Sequence, residues 1–108
     1  MGALSAQSVA VSGTQPTYAA AGASGDTAPV GDRLVLHVVN GSASTVTVTV
    51  ATPGTVGGLA IADAAQAVPA GGGAFIPLST VYRDPVTGRA AVTYSAATDV
   101  DVAVLHLP

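Results

Sequence analysis

Polar and apolar positions alternate along much of this chain, most clearly between residues 33 and 51. Val46, Val48 and Val50 fall on one face of an extended run, and Thr45, Thr47 and Thr49 on the other. A period of two marks a half-buried strand. In the run before it, Leu34, Leu36 and Val38 share one face, with Val35, His37 and Val39 opposite. Both faces are largely apolar, which predicts a strand deep inside a sheet. Asn40 and Gly41 tolerate positive φ, and Ser42 to Ser44 lengthen the connection. The expectation is a β-hairpin over residues 33–51.

The rest of the chain adds shorter strands. Residues 8–12 alternate weakly and predict a short edge strand, broken by Gly13 and Pro16. Residues 19–25 are small and without a period; Gly22 and Gly25 favour an extended loop over the helix that the Ala content would allow. Residues 52–58 are rich in turn formers. A short helix or a strand fits residues 59–68, and the turn at Pro69, Ala70 and Gly71 favours a strand over 66–68. A strand over 74–78 follows, with Pro77 at an edge or bulge. Residues 82–89 are the most polar stretch and read as a hairpin loop, opened by Asp84-Pro85 and closed by Gly88. Residues 90–95 alternate, with Val92 and Tyr94 on one face. In the last strand Val100, Val102, Val104 and His106 share a face, opposite Asp101, Ala103, Leu105 and Leu107. Short strands at regular spacing, without a convincing helix or repeat, predict an all-β chain. It would be a single antiparallel β-sandwich or jelly-roll-like domain over residues 18–108, with an extended N-terminal arm at 1–17; a small barrel is the second choice.

Composition narrows the function. Charged residues make up 8% of the chain: three Arg, no Lys and six Asp, for a net charge of −3. Such thin charge leaves no basic footprint for nucleic acid. The missing Lys is also what a GC-rich genome would write. A hydrophobic fraction of 49% argues against disorder. The apolar residues are mostly Ala and Val, with one Phe, three Tyr and no Trp. Small side chains bury little area, at about 25 cal/mol per Å². Oligomerisation or docking is therefore expected to supply part of the stability. There is no Cys, hence no disulfide or thiolate chemistry. The first eight residues lack the basic and apolar regions of a secretory signal, and no apolar run approaches the ~18 residues that span a membrane.

No catalytic constellation is visible. His37 and His106 lie within strands without a nucleophile elbow or an orienting acid, so both read as structural. Asp99 and Asp101, or Asp26 and Asp32, do not have calcium-loop spacing, so neither metal nor cofactor is expected. Gly71 to Gly73 lack the Lys and helix of a phosphate loop. Asn40-Gly41-Ser42 has the glycosylation pattern, but its place in a turn explains it. The best recognition candidates are Tyr82, Arg83 and Arg89, residue types that anchor interfaces. Leu4, Val9 and Val11 join them from the arm, where strand addition to a neighbour needs no charge.

Several segments in order resemble small virion proteins of tailed phages infecting GC-rich bacteria. They are Gln15-Pro16-Thr17-Tyr18, Gly25-Asp26, and Leu36-His37-Val38-Val39-Asn40-Gly41-Ser42, then the Thr-Val-Thr-Val run from Thr45. Val68-Pro69-Ala70-Gly71, Val92-Thr93-Tyr94-Ser95 and Val102-Ala103-Val104-Leu105 complete the series. The resemblance runs from Gln15 almost to the end; residues 19–28 and 59–67 depart from it. It implies a non-enzymatic head decoration (cement) or minor capsid protein on the outer capsid surface of the virion. Its partner would be the major capsid protein, with the chain itself a homo-oligomer, a trimer favoured. A tail or head–tail connector component is the neighbouring reading, and a carbohydrate-binding β-sandwich module the reading from another class.

Overall fold

The two best-patterned runs both form strands, but they do not pair with each other. A computed structural model describes residues 2–60 and 62–107; Met1, the start of the expected arm, and Ile61, within the ambiguous 59–68 segment, lie outside the described residues. Its strands are β1 (Gly2–Ala3), β2 (Ala6–Ser8), β3 (Ala19–Ala20), β4 (Asp26–Ala28), β5 (Leu34–Asn40) and β6 (Val46–Val50). They continue with β7 (Thr55–Val56), β8 (Leu59–Ala60), β9 (Ala64–Val68), β10 (Gly73–Pro77), β11 (Ala90–Tyr94) and β12 (Val100–His106). One sheet has the order β1-β4-β11-β6-β9, and the other β10-β5-β12-β2 with β3 also on β12. The chain is an all-β sandwich. Its one helical element among the described residues is a 3₁₀ turn at Thr80–Tyr82.

The faces follow the alternation. Val46, Val48 and Val50 from one sheet meet Leu36, Val38, Val100, Val102 and Val104 from the other, all buried, with Val68, Ile76, Leu78 and Val92 completing the core. β5 lies between β10 and β12, as its two apolar faces require. Pro77 ends the edge strand β10, where its missing N–H costs no ladder bond.

The expected hairpin over 33–51 is an arch instead. β5 belongs to one sheet and β6 to the other, so residues 41–45 carry the chain across the sandwich. Asn40 explains the crossing. Its buried side chain donates from Nδ2 to the carbonyls of Ser44 at 2.8 Å and Val68 at 2.9 Å. Its Oδ1 accepts from Ser42 N at 3.0 Å and Ser42 Oγ at 2.6 Å. The amide thus ties the arch to the end of β9 and holds it away from the ladder that a hairpin would form. Pattern specified each strand's faces, but a five-residue loop suits either connection.

Two further expectations shift. The strand near the N-terminus is Ala6–Ser8, not residues 8–12. β2 runs parallel to β12, which ends at His106 opposite Ser8, so the ladder has no partner beyond Val9 N–H on His106 O. The chain then turns, leaving Val11 95% exposed. Second, the sheets are mixed: the parallel pairs are β1 with β4 and β2 with β12, and both come from residues 2–8. The ambiguous segment contributes strands β8 and β9, and residues 55–60 form the small β7–β8 hairpin turning at Gly57 and Gly58, both at positive φ. The 82–89 hairpin loop is present, with Arg83 bridged to Ala90 and Gly88 N bonded to Asp84 O at 2.7 Å.

Candidate binding surface

Register places an aromatic row on the outer face of the β10-β5-β12 sheet. Phe75 pairs with His37 and His37 with Ala103, so the three share a face. Flanking rows are Pro77, Val35 and Leu105 on one side and Gly73, Val39 and Asp101 on the other. The Phe75 and His37 rings stack with centroids 4.3 Å apart and planes 10° from parallel. Tyr18, just before β3, meets His37 edge-on at 5.5 Å, and its hydroxyl shares a 2.6 Å hydrogen bond with His37 Nδ1. Phe75 remains 63% exposed. A ring that open, backed by an imidazole, is a preformed apolar contact point.

A cleft of about 180 Å³ opens next to this row, at the side of the sandwich where edge strands β9 and β10 face each other. Ala64, Gln66, Phe75, Ile76, Pro77 and Tyr82 line it. Of the chain's four Phe and Tyr residues, Phe75, Tyr18 and Tyr82 therefore border one continuous region.

The fourth, Tyr94, is part of the frame. Its hydroxyl donates to Asp26 Oδ2 at 2.7 Å, and the carboxylate also accepts from Gly2 N at 3.2 Å and Gly22 N at 3.0 Å. Burial, then the hydrogen bond and the charge of Asp26, push the Tyr94 hydroxyl far above its ordinary pKa. A Cβ on Gly22 would stand 2.7 Å from Asp26 Oδ1, so only glycine lets the backbone approach this acid.

The residues expected to form an interface do not gather in one place. Arg89 is half-buried and donates to Thr27 Oγ1 at 3.0 Å, Thr27 O at 3.1 Å and the Leu4 carbonyl. Its fork fastens the N-terminal segment to β4. Leu4 packs against the core, Val9 is half-buried, and Arg83 is exposed at the bridge to Ala90. Tyr82 alone borders the cleft. His37 has the hydrogen bond expected of a structural histidine, while His106 is exposed at the end of β12. No group of three or more metal-ligating side chains comes together among the described residues. Among the described residues no helix is long and apolar enough to cross a membrane.

Phe75, Tyr18 and His37 were not singled out by spacing. Phe75 and His37 meet through strand pairing across 38 positions, and Tyr18 reaches them through β3; a signal existed only in Phe75 occupying the solvent-facing phase of its strand. Compared with protein-family models, curated proteins and solved structures, the chain matches none.

Proposed function

We propose that the protein is a non-enzymatic structural protein that docks on a larger protein assembly through the outer face of β10 and β5, around Phe75 and His37. The observation that carries this is the exposed Phe75 ring stacked on His37, with Tyr18 and Tyr82 beside it, in a chain otherwise poor in aromatics and charge. A rigid apolar platform on a sheet suits a partner that presents a fixed, dry surface. The ordered segments that resemble small phage virion proteins make the outer shell of a tailed-phage head the proposed partner, with the major capsid protein contacted and the protein acting as a homo-oligomeric cement. Binding preferentially to the assembled shell would stabilise it by mass action.

A second reading has an observation of its own. An exposed ring on a sheet face also suits a sugar ring, so a carbohydrate-binding module is the alternative. Co-sedimentation with heads of the encoding phage assembled without this protein separates the two. Saturable binding at many copies per head supports decoration, and a handful of copies would indicate a connector or tail position. Absent head binding, with retardation in a polysaccharide gel, would replace the capsid reading.

A further inference from the structure

Among the described residues β9 presents a five-residue edge with no partner strand, and that edge is complementary to itself. β9 ends the first sheet, paired only through β6. Ser95 N bonds to Thr47 O and Ala51 N to Ala91 O, so the odd positions of β6 turn their backbone groups toward β11. The even positions must then bond β9, through the registers Val46–Val68, Val48–Gln66 and Val50–Ala64. Ala65 and Ala67 consequently point their N–H and C=O groups away from the sheet. Gln66 Nε2 covers the Ala67 carbonyl at 2.9 Å. No strand pairs with this side of β9 among the described residues.

The other edges are blunted in ways that β9 is not. β1 has two residues and β2 three. Beside β2, the Gln7 amide clamps Thr17, donating to its carbonyl at 2.6 Å and accepting from its N–H at 2.8 Å. On β10, Asn40 N bonds to Gly72 O and Leu78 N to Leu34 O, which leaves Gly73, Phe75 and Pro77 facing outward. Pro77 has no N–H to offer, and its presence breaks that row. β9 carries five residues with no proline and no charge. Proteins usually protect such an edge.

We infer that β9 pairs antiparallel with β9 of a second copy of this chain across a two-fold axis at Gln66, joining the two sheets into one. About that axis Ala65 lies opposite Ala67 of the partner subunit, and both exchanged pairs of N–H···O bonds form at once. Ala64 lies opposite Val68 of the partner subunit, so the five-residue strands overlap fully. The one nearby acid, Asp63, falls opposite Pro69 of the partner subunit, so no like charges meet. On one face of the seam lie Ala65 and Ala67, in line with Thr49 and Thr47, with nothing bulky to hold the edges apart; on the other, Gln66 meets Gln66 of the partner subunit on the axis. A closed two-fold contact of this kind also removes the aggregation hazard of an open edge. It makes a dimer, where the resemblance to phage virion proteins had implied a trimer, and it does not depend on any capsid partner.

Analytical ultracentrifugation of the isolated chain, with amide exchange followed over a concentration series, tests it. The sedimenting mass should reach twice 10.3 kDa, and exchange at Ala65 and Ala67 should slow as the dimer fills. Ala65→Pro removes an N–H that bonds nothing within the subunit, so it should leave the fold intact and return the mass to that of the monomer. Gln66→Lys, which sets two ammonium groups face to face on the axis, should do the same. A monomer at every concentration, a trimer, or a dimer in which exchange at Ala65 and Ala67 ignores concentration would overturn the inference. Because no phage head is present, failure here leaves the docking proposal standing, and loss of head binding leaves the dimer standing.

Discussion

Replacing Asn40 is the sharpest test of why the chain forms an arch rather than a hairpin. Asn40→Ala deletes four hydrogen bonds of 3.0 Å or less, to Ser44 O, Val68 O, Ser42 N and Ser42 Oγ. Each contributes about 1 kcal/mol net. The Ser42 and Ser44 groups lie near solvent and recover part of theirs from water, and Val68 O keeps its ladder bond to β6. The expected loss is about 3 kcal/mol, which lowers the melting temperature of a domain this size by about 15 °C. Asn40→Asp should be worse at neutral pH, because a buried carboxylate would face the carbonyls of Ser44, Val68 and Pro69 with nothing to donate. Its folded pKa would be raised, so its deficit is absent below the unfolded carboxylate value of about 4 and grows as pH rises through the folded one. Urea denaturation of wild type and both variants between pH 4 and 8 measures this. An Asn40→Ala cost below about 0.5 kcal/mol, the scale of an ordinary surface change, would refute the reasoning, as would an Asn40→Asp variant that gains on wild type as pH rises.

Other outcomes follow from the same contacts. Tyr94→Phe removes the 2.7 Å hydrogen bond to buried Asp26 and should cost about 1.5–3 kcal/mol, the range for a bond to a charged group. Because the folded pKa of Tyr94 is raised, its contribution is complete below the unfolded value of about 10 and lost as pH rises above it. Alkaline titration followed by phenolate absorbance should therefore show a cooperative unfolding phase that Tyr94→Phe moves to higher pH. Arg89→Lys should speed amide exchange at Leu4, whose N–H bonds to Thr27 O at 2.8 Å, because an ammonium cannot reproduce the fork. Gly25→Ala should unfold the variant at lower temperature, since φ is +94° and a Cβ would stand 2.7 Å from Val92 O.

Strand faces were legible because burial writes itself into a period of two. The run Val46, Val48, Val50 and the run Val100, Val102, Val104 both face the core as the alternation required. Pairing was not legible, because it depends on contacts far apart in sequence. Neighbouring β5 and β6 separate at Asn40, whose turn-forming character was visible but whose bonds to Val68 and Pro69 lie 28 and 29 positions away. Arg89 looked like an interface anchor from its type and loop, yet its partners Leu4 and Thr27 come from the other end of the chain. The aromatic row was hidden for the same reason. Only when β10 pairs with β5, and Tyr18 is brought up by β3, do three separate rings become one surface.

That surface is where the functional account is most exposed to test. Phe75 makes little of the core, so Phe75→Asp should leave the melting curve near that of wild type while placing a charge on the platform. Binding of wild type and Phe75→Asp to phage heads assembled without this protein is the measurement to make. The account predicts saturable binding of the wild type and its loss in the folded variant. Equal binding by both, or no binding by either, would contradict it.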